Sequence, residues 1–301
     1  MRAMDYDSPS ALKQFLDERG MAMQKKFGQN FLINPRARTK LAESLELQKD
    51  MCVWEIGSGL GCLSAEILKR GGILTAFEID RGFIQALNDI FFDEIANKTF
   101  RIVAGDVLKT WKNEYRSAVV PERVCGNLPY NIASRIIADT VSEGIRFERC
   151  VFTVQKEVAQ RMAAKPASPA YSSFSVLCTW AYDVQPLMDL AGGSFWPRPN
   201  VCSQAVVLTA KKDFPGCKDI ATFLKIQRGL FASRRKTVKN NTAALYSAQT
   251  ADTVLKQAGI DPLCRAETLD IKTLCALADA FYEYENEVGK TKENKGKREN
   301  A

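Results

Sequence analysis

Short apolar runs alternate with amphipathic segments over the first half of the chain. Five runs have the length and composition of buried strands, namely 51–56, 73–79, 100–105, 123–127 and 149–154. Between most of them, apolar residues recur at helical spacing, in 61–70, 81–92 and 132–141. Strands that alternate with helices in this way are typical of an α/β fold with a mainly parallel sheet and helices on both faces.

The pattern changes in the second half of the chain. A helical segment at 171–182 precedes two predicted strands, 183–190 and 201–210, which a Gly- and Pro-rich segment joins. We expect this pair of strands to return at the edge of the parallel sheet. Beyond about residue 212 the strand pattern stops, and helical patterns follow in 218–231, 236–247, 251–258 and 270–284.

These patterns divide the chain into four parts. Residues 1–23 form an N-terminal extension with one short helix, which Ser8 and Pro9 begin. Residues 24–212 form the α/β domain, and residues 213–285 form a small helical C-terminal domain. Residues 286–301 are polar and charged, and we expect them to be a disordered tail.

The composition excludes several kinds of chemistry. The chain has no histidine, which rules out Ser-His-Asp and Cys-His nucleophiles, histidine-ligated zinc and an imidazole general base. Its nine cysteines are odd in number and no two have Cys-x-x-Cys spacing, so we predict neither a metal site nor a redox motif. Free thiols fit a reducing cytoplasm.

The charge and the chain's uncharged segments bear on partners and location. The net charge of +7 favours an anionic partner such as nucleic acid, although solubility alone would also account for it. The longest uncharged window, 166–182, contains prolines and serines and does not have the character of a membrane helix. The N-terminus carries acidic residues and lacks the apolar core of a signal peptide. We therefore predict a cytoplasmic protein without a membrane segment.

Glycines and acids follow three successive predicted strands. The motif EIGSGLG (55–61) ends the first strand and opens a helix, and Gly57 and Gly59 would let the backbone approach a ligand closely. Glu78 ends the next strand, where an acid can accept both hydroxyls of a ribose. Asp106 follows the third strand and could accept the exocyclic amine of an adenine. Each feature alone could be an ordinary turn or helix cap, but together they predict a nucleoside site.

The same features favour one class of cofactor. The glycines form G-x-G-x-G and lack the third glycine at the spacing that a dinucleotide pyrophosphate requires. A dehydrogenase would also need a proton relay, for which the chain has no histidine. S-adenosylmethionine, which contains adenosine and no pyrophosphate, meets this description.

The fourth predicted strand ends in Asn127-Leu128-Pro129-Tyr130, which would face the same crevice. If the reaction is methyl transfer to the exocyclic amine of a base, hydrogen bonds from that amine to Asn127 Oδ1 and the Leu128 carbonyl would localise its lone pair. Pro129 would stiffen the turn, and Tyr130 would stack on the base. The amine proton becomes acidic only after methylation, so positioning and hydrogen bonding can carry the step without a strong base.

A base inside RNA must leave its stack to reach such a pocket, and a second aromatic ring would help to hold it. The segment SFWPRPN (194–200) offers Phe195 and Trp196 on a loop that contains two prolines. We favour Phe195 for this role, with Trp196 as the alternative. Either ring could instead belong to the core.

Eight segments resemble, in this order, those of the KsgA-type ribosomal RNA adenine dimethyltransferases. They are KKFGQNFLIN (25–34), EIGSGLG (55–61), FEID (77–80), GDVL (105–108), GNLPYNIAS (126–134), FTVQKEVAQRM (152–162), FWPRPNV (195–201) and FASRRKTVKNN (231–241). The resemblance spans residues 24 to 280, and an ordered set of this size is highly specific. One departure is PNVCS (199–203), where the family usually has PKVDS.

The resemblance implies a class I S-adenosylmethionine-dependent methyltransferase fold, Rossmann-like, with a helical C-terminal domain. It implies transfer of two methyl groups to N6 of each of two adjacent adenines, in the 3′-terminal hairpin loop of small-subunit (16S) ribosomal RNA, during assembly of the subunit. The cofactor contacts that it implies are Asn30, Leu32, Gly57, Glu78, Asp106 and Asn127. The target-base residues that it implies are Asn127, Leu128, Tyr130 and Phe195.

A basic segment, 225–241, completes the predicted site. Its charged residues would contact RNA phosphates, an expectation that rests on the charge and on the resemblance. They are Lys225, Arg228, Arg234, Arg235, Lys236 and Lys239. We expect a monomer that acts on the small-subunit RNA of a precursor 30S particle. Two alternatives remain, a large-subunit methyltransferase of the macrolide-resistance type and a non-catalytic RNA-binding assembly factor on the same scaffold.

Overall fold

The computed structural model describes residues 4–21, 23, 29–117 and 119–299, without the side chains of residues 117, 130, 131 and 288–299. In these ranges the strands are β1 (Phe31–Leu32), β2 (Cys52–Ile56), β3 (Ile73–Glu78), β4 (Phe100–Ala104), β5 (Arg123–Asn127), β6 (Arg149–Gln155), β7 (Tyr182–Leu190), β8 (Phe195–Trp196) and β9 (Ser203–Ala210). The buried runs of the sequence thus form strands, and the pair β7 and β9 occupies one edge of the sheet, as the sequence predicted.

Seven strands make the central sheet, in the order β4-β3-β2-β5-β6-β9-β7. The strands β4, β3, β2, β5 and β6 are parallel, and β9 lies antiparallel to β6. The chain moves outward from β2 to β3 and β4 and then returns to β5 on the other side of β2. Such a reversal places the crevice for a ligand at the carboxyl ends of β2 and β5.

The helices are amphipathic segments between and after the strands. They are α1 (Pro9–Glu18), α2 (Pro35–Ser44), α3 (Cys62–Lys69), α4 (Arg81–Ile90), α5 (Phe92–Ala96), α6 (Val107–Ser117), α7 (Tyr130–Ser142), α8 (Lys156–Met162), α9 (Ser173–Ala181), α10 (Ile220–Ala232), α11 (Val238–Leu245), α12 (Ala248–Gln257) and α13 (Ile271–Glu299). Side-chain caps begin several of them. Asp80 Oδ1, for example, accepts the Gly82 and Phe83 N–H groups at the start of α4.

The N-terminal helix α1 packs on the turn that follows β2, residues 57–61, which we call the glycine turn. Leu12 and Leu16 are buried with Phe31 and Leu60 in one apolar cluster. The Tyr6 hydroxyl, just before the helix, donates to the Leu60 carbonyl at 2.9 Å. Residues of the N-terminal extension therefore support the turn that follows β2.

The chain folds into two compact units. One contains Met1–Ile136, Phe147–Ala159 and Val184–Ala210, and the other contains Ile137–Arg146, Gln160–Asp183 and Lys211–Ala301. The helical unit thus takes up segments that the sequence boundary at 212 assigns to the α/β domain. The reason is apolar packing by α9, whose Trp180 ring stacks on Phe223 of α10 with centroids 3.9 Å apart.

The last helix differs from the sequence-based expectation. Helix α13 spans Ile271–Glu299, whereas we expected a disordered tail from residue 286. The segment 286–299 contains no proline and is rich in glutamate and lysine, which are good helix formers, so a helix can continue through it. In the part of the chain that the structure describes, no helix is long and apolar enough to cross a membrane.

Candidate active site

A cavity of about 440 Å³ opens at the carboxyl ends of β2, β3 and β5 and beside the turn after β4. It brings together most of the residues that the sequence and the resemblance predict for the site. Those that line it are Asn30, Leu32, Gly57, Gly59, Glu78, Asp106, Asn127 and Leu128. The volume is typical of a small-molecule or cofactor site.

Glu78 closes one side of the glycine turn. Its Oε2 accepts the Gly59 N–H at 2.8 Å, and its Oε1 accepts the N–H groups of Ile79 and Asp80, both at 2.9 Å. Gly59 has a φ of +57°, which only glycine adopts without strain, and this conformation turns its N–H toward the carboxylate. Glu78 therefore fixes the shape of the turn and still has lone pairs for a ligand.

Burial dominates the electrostatics of Glu78. The side chain is almost wholly buried, and this desolvation raises its pKa, while the three backbone N–H groups lower the pKa again. A buried carboxylate that is held by N–H donors is a strong hydrogen-bond acceptor for hydroxyl groups. This arrangement suits the two hydroxyls of a ribose.

Asp106 lies at the start of α6, after β4. Its Oδ1 accepts the Leu108 N–H at 3.0 Å, and within the described ranges its Oδ2 has no hydrogen-bond partner. The side chain is half-buried and lines the cavity. One carboxylate oxygen therefore caps the helix, and the other is available to a donor on a ligand.

The side chain of Asn127 is held in one orientation. Its Nδ2 donates to the Asn30 carbonyl at 2.8 Å. A carbonyl only accepts, so it fixes which end of the amide carries the NH₂ group and leaves Oδ1 as a separate acceptor. The backbone just before β1 thereby orients the amide at the end of β5.

The turn after Asn127 is anchored to the neighbouring strand. The Leu128 N–H donates to the Thr153 carbonyl of β6 at 2.9 Å. A Cβ atom on Gly126 would lie 2.5 Å from the Ile56 carbonyl oxygen, so only glycine allows β5 to approach β2 this closely. Tyr130 begins α7, but its side chain lies outside the described part of the chain, and its predicted stacking role stays a prediction.

The structure places Phe195 in the core and not in the cavity wall. Its side chain is 3 % exposed, and β8 pairs with β1 so that Phe195 stands opposite Leu32. The alternative ring, Trp196, is half-buried and lies against Phe31 with centroids 6.1 Å apart. Phe195 packs in one core cluster with Leu32, and Trp196 packs against another with Phe31, so neither ring is presented to a base in this structure.

Several residues of the wall escaped the sequence-based prediction, and four of them could contribute to ligand binding. They are Glu55, Ser58, Ile79 and Thr153. Ile79 directly follows Glu78 and, although apolar, is 44 % exposed, so it offers a hydrophobic surface to a flat ring. Its position after a strand-end acid could have signalled this, whereas nothing in the sequence distinguished the hydroxyls of Ser58 and Thr153.

Glu55 is the most deeply buried acid of the wall. Its pKa is raised to about 8, chiefly by burial; a hydrogen bond from the Ser64 hydroxyl opposes this increase, and the nearby Glu78 charge adds to it. At neutral pH this side chain is mostly protonated, so it can donate as well as accept. Glu55 lies within EIGSGLG, but the prediction from this motif concerned only its glycines.

The predicted RNA-binding residues lie in the helical unit and fall into two groups. Lys225, Arg234 and Lys239 form ion pairs with Glu285, Glu267 and Asp252 at 2.9, 3.0 and 2.7 Å. Arg228 makes one long hydrogen bond among the described residues, to Ser142 Oγ at 3.5 Å. Arg235 and Lys236 are exposed and have no ion-pair partner among the described residues.

Within the described ranges, no group of three or more cysteine, aspartate or glutamate side chains could hold a metal ion. The residues of the cavity wall offer hydrogen bonds and apolar surface instead. The site is therefore suited to bind and orient organic ligands.

Comparison with known sequences identifies the family of the chain. A family model described as "Ribosomal RNA adenine dimethylase" matches residues 20–283. A relative named ribosomal RNA small subunit methyltransferase A, from Treponema pallidum (strain Nichols), is 45 % identical over 283 residues, which are 92 % of this chain and 97 % of the relative. The protein of the same name from Treponema denticola is 44 % identical over 279 residues, 91 % of this chain and 95 % of that protein.

Solved structures show the same fold. A dimethyladenosine transferase from Plasmodium falciparum superposes with a TM-score of 0.69 at 23 % identity, over 81 % of this chain and 94 % of the other. The 23S rRNA methyltransferase ErmE superposes with a TM-score of 0.60 at 20 % identity, over 83 % and 98 %. These likenesses confirm the predicted methyltransferase fold. The match over residues 20–283 and the identity with the two treponemal proteins show that the chain belongs to the ribosomal RNA adenine dimethylase family.

Proposed function

We propose that this protein dimethylates N6 of two adjacent adenines in the 3′-terminal hairpin loop of small-subunit ribosomal RNA, with S-adenosylmethionine as methyl donor. The observation that carries the proposal is the Asn127 amide, held by the Asn30 carbonyl with its Oδ1 free to accept, in a chain of the adenine dimethylase family. The two treponemal relatives are named as small-subunit methyltransferases, which supports this choice of RNA.

The residues of the cavity fit the cofactor. Glu78 can accept the ribose hydroxyls, and the second carboxylate oxygen of Asp106 can accept the adenine amine. Ile79 offers an apolar surface for the adenine ring. The Ser58 hydroxyl, which is 6 % exposed and makes no hydrogen bond to a described residue, would be satisfied by a polar group of the same ligand. When bound, the cofactor supplies an electrophilic methyl group.

The protein's part in the reaction is to make the target amine nucleophilic and to hold it. The lone pair of an aromatic amine is delocalised into the ring, and hydrogen bonds from the amine to Asn127 Oδ1 and to the Leu128 carbonyl favour a pyramidal nitrogen. The proton leaves after methylation, when the nitrogen has become cationic and acidic. Pre-oriented acceptors can supply this effect without a general base.

The base must leave the RNA to reach Asn127, so we propose that it is flipped into the cavity. The stacking roles of Tyr130 and Phe195 belong to this proposal. For Phe195 the role requires that β8 move away from β1, because the ring is buried in the core beside Leu32. A half-buried alternative, Trp196, would need a smaller displacement.

The basic residues of the helical unit are proposed to bind RNA phosphates in the precursor small subunit. Arg235 and Lys236 are the strongest candidates, because their charges are not neutralised by a carboxylate among the described residues. We propose that one copy of the chain suffices for the reaction.

Two other functions are less well supported. A large-subunit methyltransferase such as ErmE shares the fold, but its identity of 20 % says nothing about the RNA substrate. A non-catalytic assembly factor would not need the Asn127 amide, the Glu78 hydrogen bonds and the open oxygen of Asp106 to be kept together. Their presence in one cavity favours an active enzyme.

The test is incubation of the protein with labelled S-adenosylmethionine and small subunits that lack the modification, followed by mapping of the product. We expect label at N6 of two adjacent adenines near the 3′ end of the RNA. Label confined to large-subunit RNA would support the first alternative, and binding without label would support the second.

A further inference from the structure

Thr153, on β6, has a side-chain hydroxyl without a hydrogen-bond partner in the described part of the chain. The residue is 1 % exposed, and its Oγ1 makes no hydrogen bond to any described residue. It lines the cavity. Buried hydroxyls are nearly always hydrogen-bonded, because an unsatisfied one costs folding free energy. A hydroxyl left over in the wall of a binding cavity is therefore expected to serve a ligand.

The sheet places this hydroxyl on a particular side of the cavity. Thr153 pairs with Asn127 in the parallel ladder between β6 and β5, so their side chains point to the same face of the sheet. The residues proposed to hold the cofactor follow β2, β3 and β4, which lie on the opposite side of β5. Thr153 thus stands beside Asn127 on the side away from the cofactor.

Two of the donors near Asn127 are already committed. The Leu128 N–H donates to the Thr153 carbonyl, and the Asn127 amide donates to the Asn30 carbonyl. Pro129 has no N–H. The Asn127 amide keeps a second N–H, and among the described side chains that β5, β6 and the turn after β5 contribute to the wall, Thr153 supplies the one hydroxyl, which makes no hydrogen bond to a described residue.

An adenine presents two kinds of group along its Watson–Crick edge. Its N6 amine donates, and the adjacent ring nitrogen N1 accepts. Asn127 Oδ1 and the Leu128 carbonyl can accept hydrogen bonds from the N6 amine. The ring nitrogen N1 would need a hydrogen-bond donor next to these two acceptors. A guanine would present an N–H at this position and a carbonyl in place of the amine.

We propose that Thr153 is a substrate-binding residue whose hydroxyl donates to N1 of the flipped target adenine and so helps to select adenine. This inference rests on the proposed function, because it assigns a hydrogen bond to the same methyl-acceptor pocket.

The experiment compares the wild type with Thr153→Val, Thr153→Ser and Thr209→Val. Thr153→Val keeps the side-chain shape and removes the hydroxyl, and Thr153→Ser restores the hydroxyl. Thr209 lies on the neighbouring strand β9, is exposed, and serves as a control for a threonine-to-valine change outside the cavity. Each protein is given labelled S-adenosylmethionine and small subunits whose two target positions carry either adenosine or 1-deazaadenosine, which lacks the N1 acceptor.

We expect Thr153→Val to lower kcat/KM on adenosine about tenfold, with an unchanged dissociation constant for S-adenosylmethionine. Thr153→Ser should recover most of this loss, and Thr209→Val should behave as the wild type. The wild type should prefer adenosine over the 1-deaza analogue about tenfold, and Thr153→Val should treat the two alike. Because the hydroxyl makes no hydrogen bond to a described residue, the urea midpoint of Thr153→Val should be unchanged or higher.

Three results would overturn this inference but not the proposed function. The first is a kcat/KM of Thr153→Val on adenosine equal to that of the wild type, and the second is an equal preference of the two proteins for adenosine over the 1-deaza analogue. The third is weaker binding of S-adenosylmethionine by Thr153→Val. A lower urea midpoint with unchanged selectivity would assign the hydroxyl a structural role and would also overturn it. Failure of the wild type to label adenosine-containing subunits would instead overturn the proposed function.

Discussion

The amide of Asn127 is the smallest unit on which the proposed chemistry depends. Its Nδ2 is occupied by the Asn30 carbonyl, so Oδ1 has a fixed direction before any substrate binds. Replacement by alanine removes the acceptor but leaves the basic surface of the helical unit intact. We expect Asn127→Ala to lower kcat by about 10²- to 10³-fold, the loss that removal of one pre-oriented hydrogen-bonding group causes elsewhere.

Single-turnover methylation of small subunits, together with RNA binding measured by filter retention, checks this prediction. RNA affinity should stay within a factor of about two of the wild type, a change of less than about 0.5 kcal/mol. If RNA binding fell as much as turnover, the turn after β5 would have a mainly structural role.

Glu78 permits a second prediction at this scale. Each of its oxygens accepts backbone N–H groups, so Glu78→Gln would place an NH₂ donor against at least one of them. We expect the dissociation constant for S-adenosylmethionine to rise at least about tenfold. Titration calorimetry measures this constant, with Glu43→Gln as a control on the exposed face of α2. Equal affinities of the two variants would exclude Glu78 from the cofactor site.

The buried carboxyl of Glu55 makes stability depend on pH. Its pKa is about 8 in the folded protein, against an ordinary value of 4.5 that applies when the chain unfolds. Between these values the folded chain holds a proton that the unfolded chain releases. The free energy of unfolding should therefore fall as pH rises through this window, by up to about 1.4 kcal/mol per pH unit from this group.

Urea unfolding at several pH values between about 5 and 8 tests the effect of Glu55. Glu55→Gln is neutral at every pH and should lose this part of the slope, so that it is more stable than the wild type near the upper end. Parallel pH profiles for the two proteins would show that Glu55 is solvated or that another group causes the dependence.

Single residues also show what the sequence could and could not predict. The meeting of Glu78, Asp106 and Asn127 was predictable because Glu78 and Asn127 end strands and Asp106 comes just after one, and the carboxyl ends of parallel strands meet at one edge. The burial of Phe195 was not predictable, because it depends on the pairing of two-residue strands that are far apart in the chain. The orphaned hydroxyl of Thr153 is likewise a property of the packed sheet.

At the scale of elements, α1 lies outside the family match. The match begins at residue 20, whereas α1 spans Pro9–Glu18 and packs on Leu60 and Phe31. The helix itself was predicted from its cap and its apolar spacing. Its docking site was not, because an amphipathic helix does not specify which apolar surface covers it.

This packing predicts that α1 contributes to cofactor binding. Leu12 is wholly buried, and Leu12→Ala should cost about 2–5 kcal/mol of unfolding free energy. Because the cluster includes Leu60 of the glycine turn and Phe31 of the cavity wall, we expect the cofactor to bind more weakly as well. The exposed Lys13 on the same helix provides the control Lys13→Ala, which should change neither quantity.

Urea unfolding and titration calorimetry on both α1 variants separate two roles. A lower stability with unchanged cofactor affinity would mean that α1 supports the fold only. Weaker binding in Lys13→Ala as well would trace the effect to charge rather than to packing.

At the scale of the whole molecule, the net charge of +7 gives the excess of basic over acidic residues. It does not show which basic residues could contact RNA. The structure divides the predicted basic residues by their neighbours. Lys225 and Lys239 each lie beside a carboxylate, which would repel a phosphate, whereas Arg235 and Lys236 have no such neighbour among the described residues. A charge run in a sequence cannot show this difference, because the carboxylates come from other helices.

Two double variants with the same change in net charge therefore make a matched comparison. We expect Arg235→Ala with Lys236→Ala to weaken binding to small subunits and to reduce the slope of log K against log[salt] by about 0.7–0.9 for each phosphate that the protein no longer neutralises. Lys225→Ala with Lys239→Ala should change the slope less, since both cations are already paired. Filter binding over a series of salt concentrations measures both slopes. Equal reductions would mean that RNA responds only to the total charge of the protein, and that the ion pairs open when RNA binds.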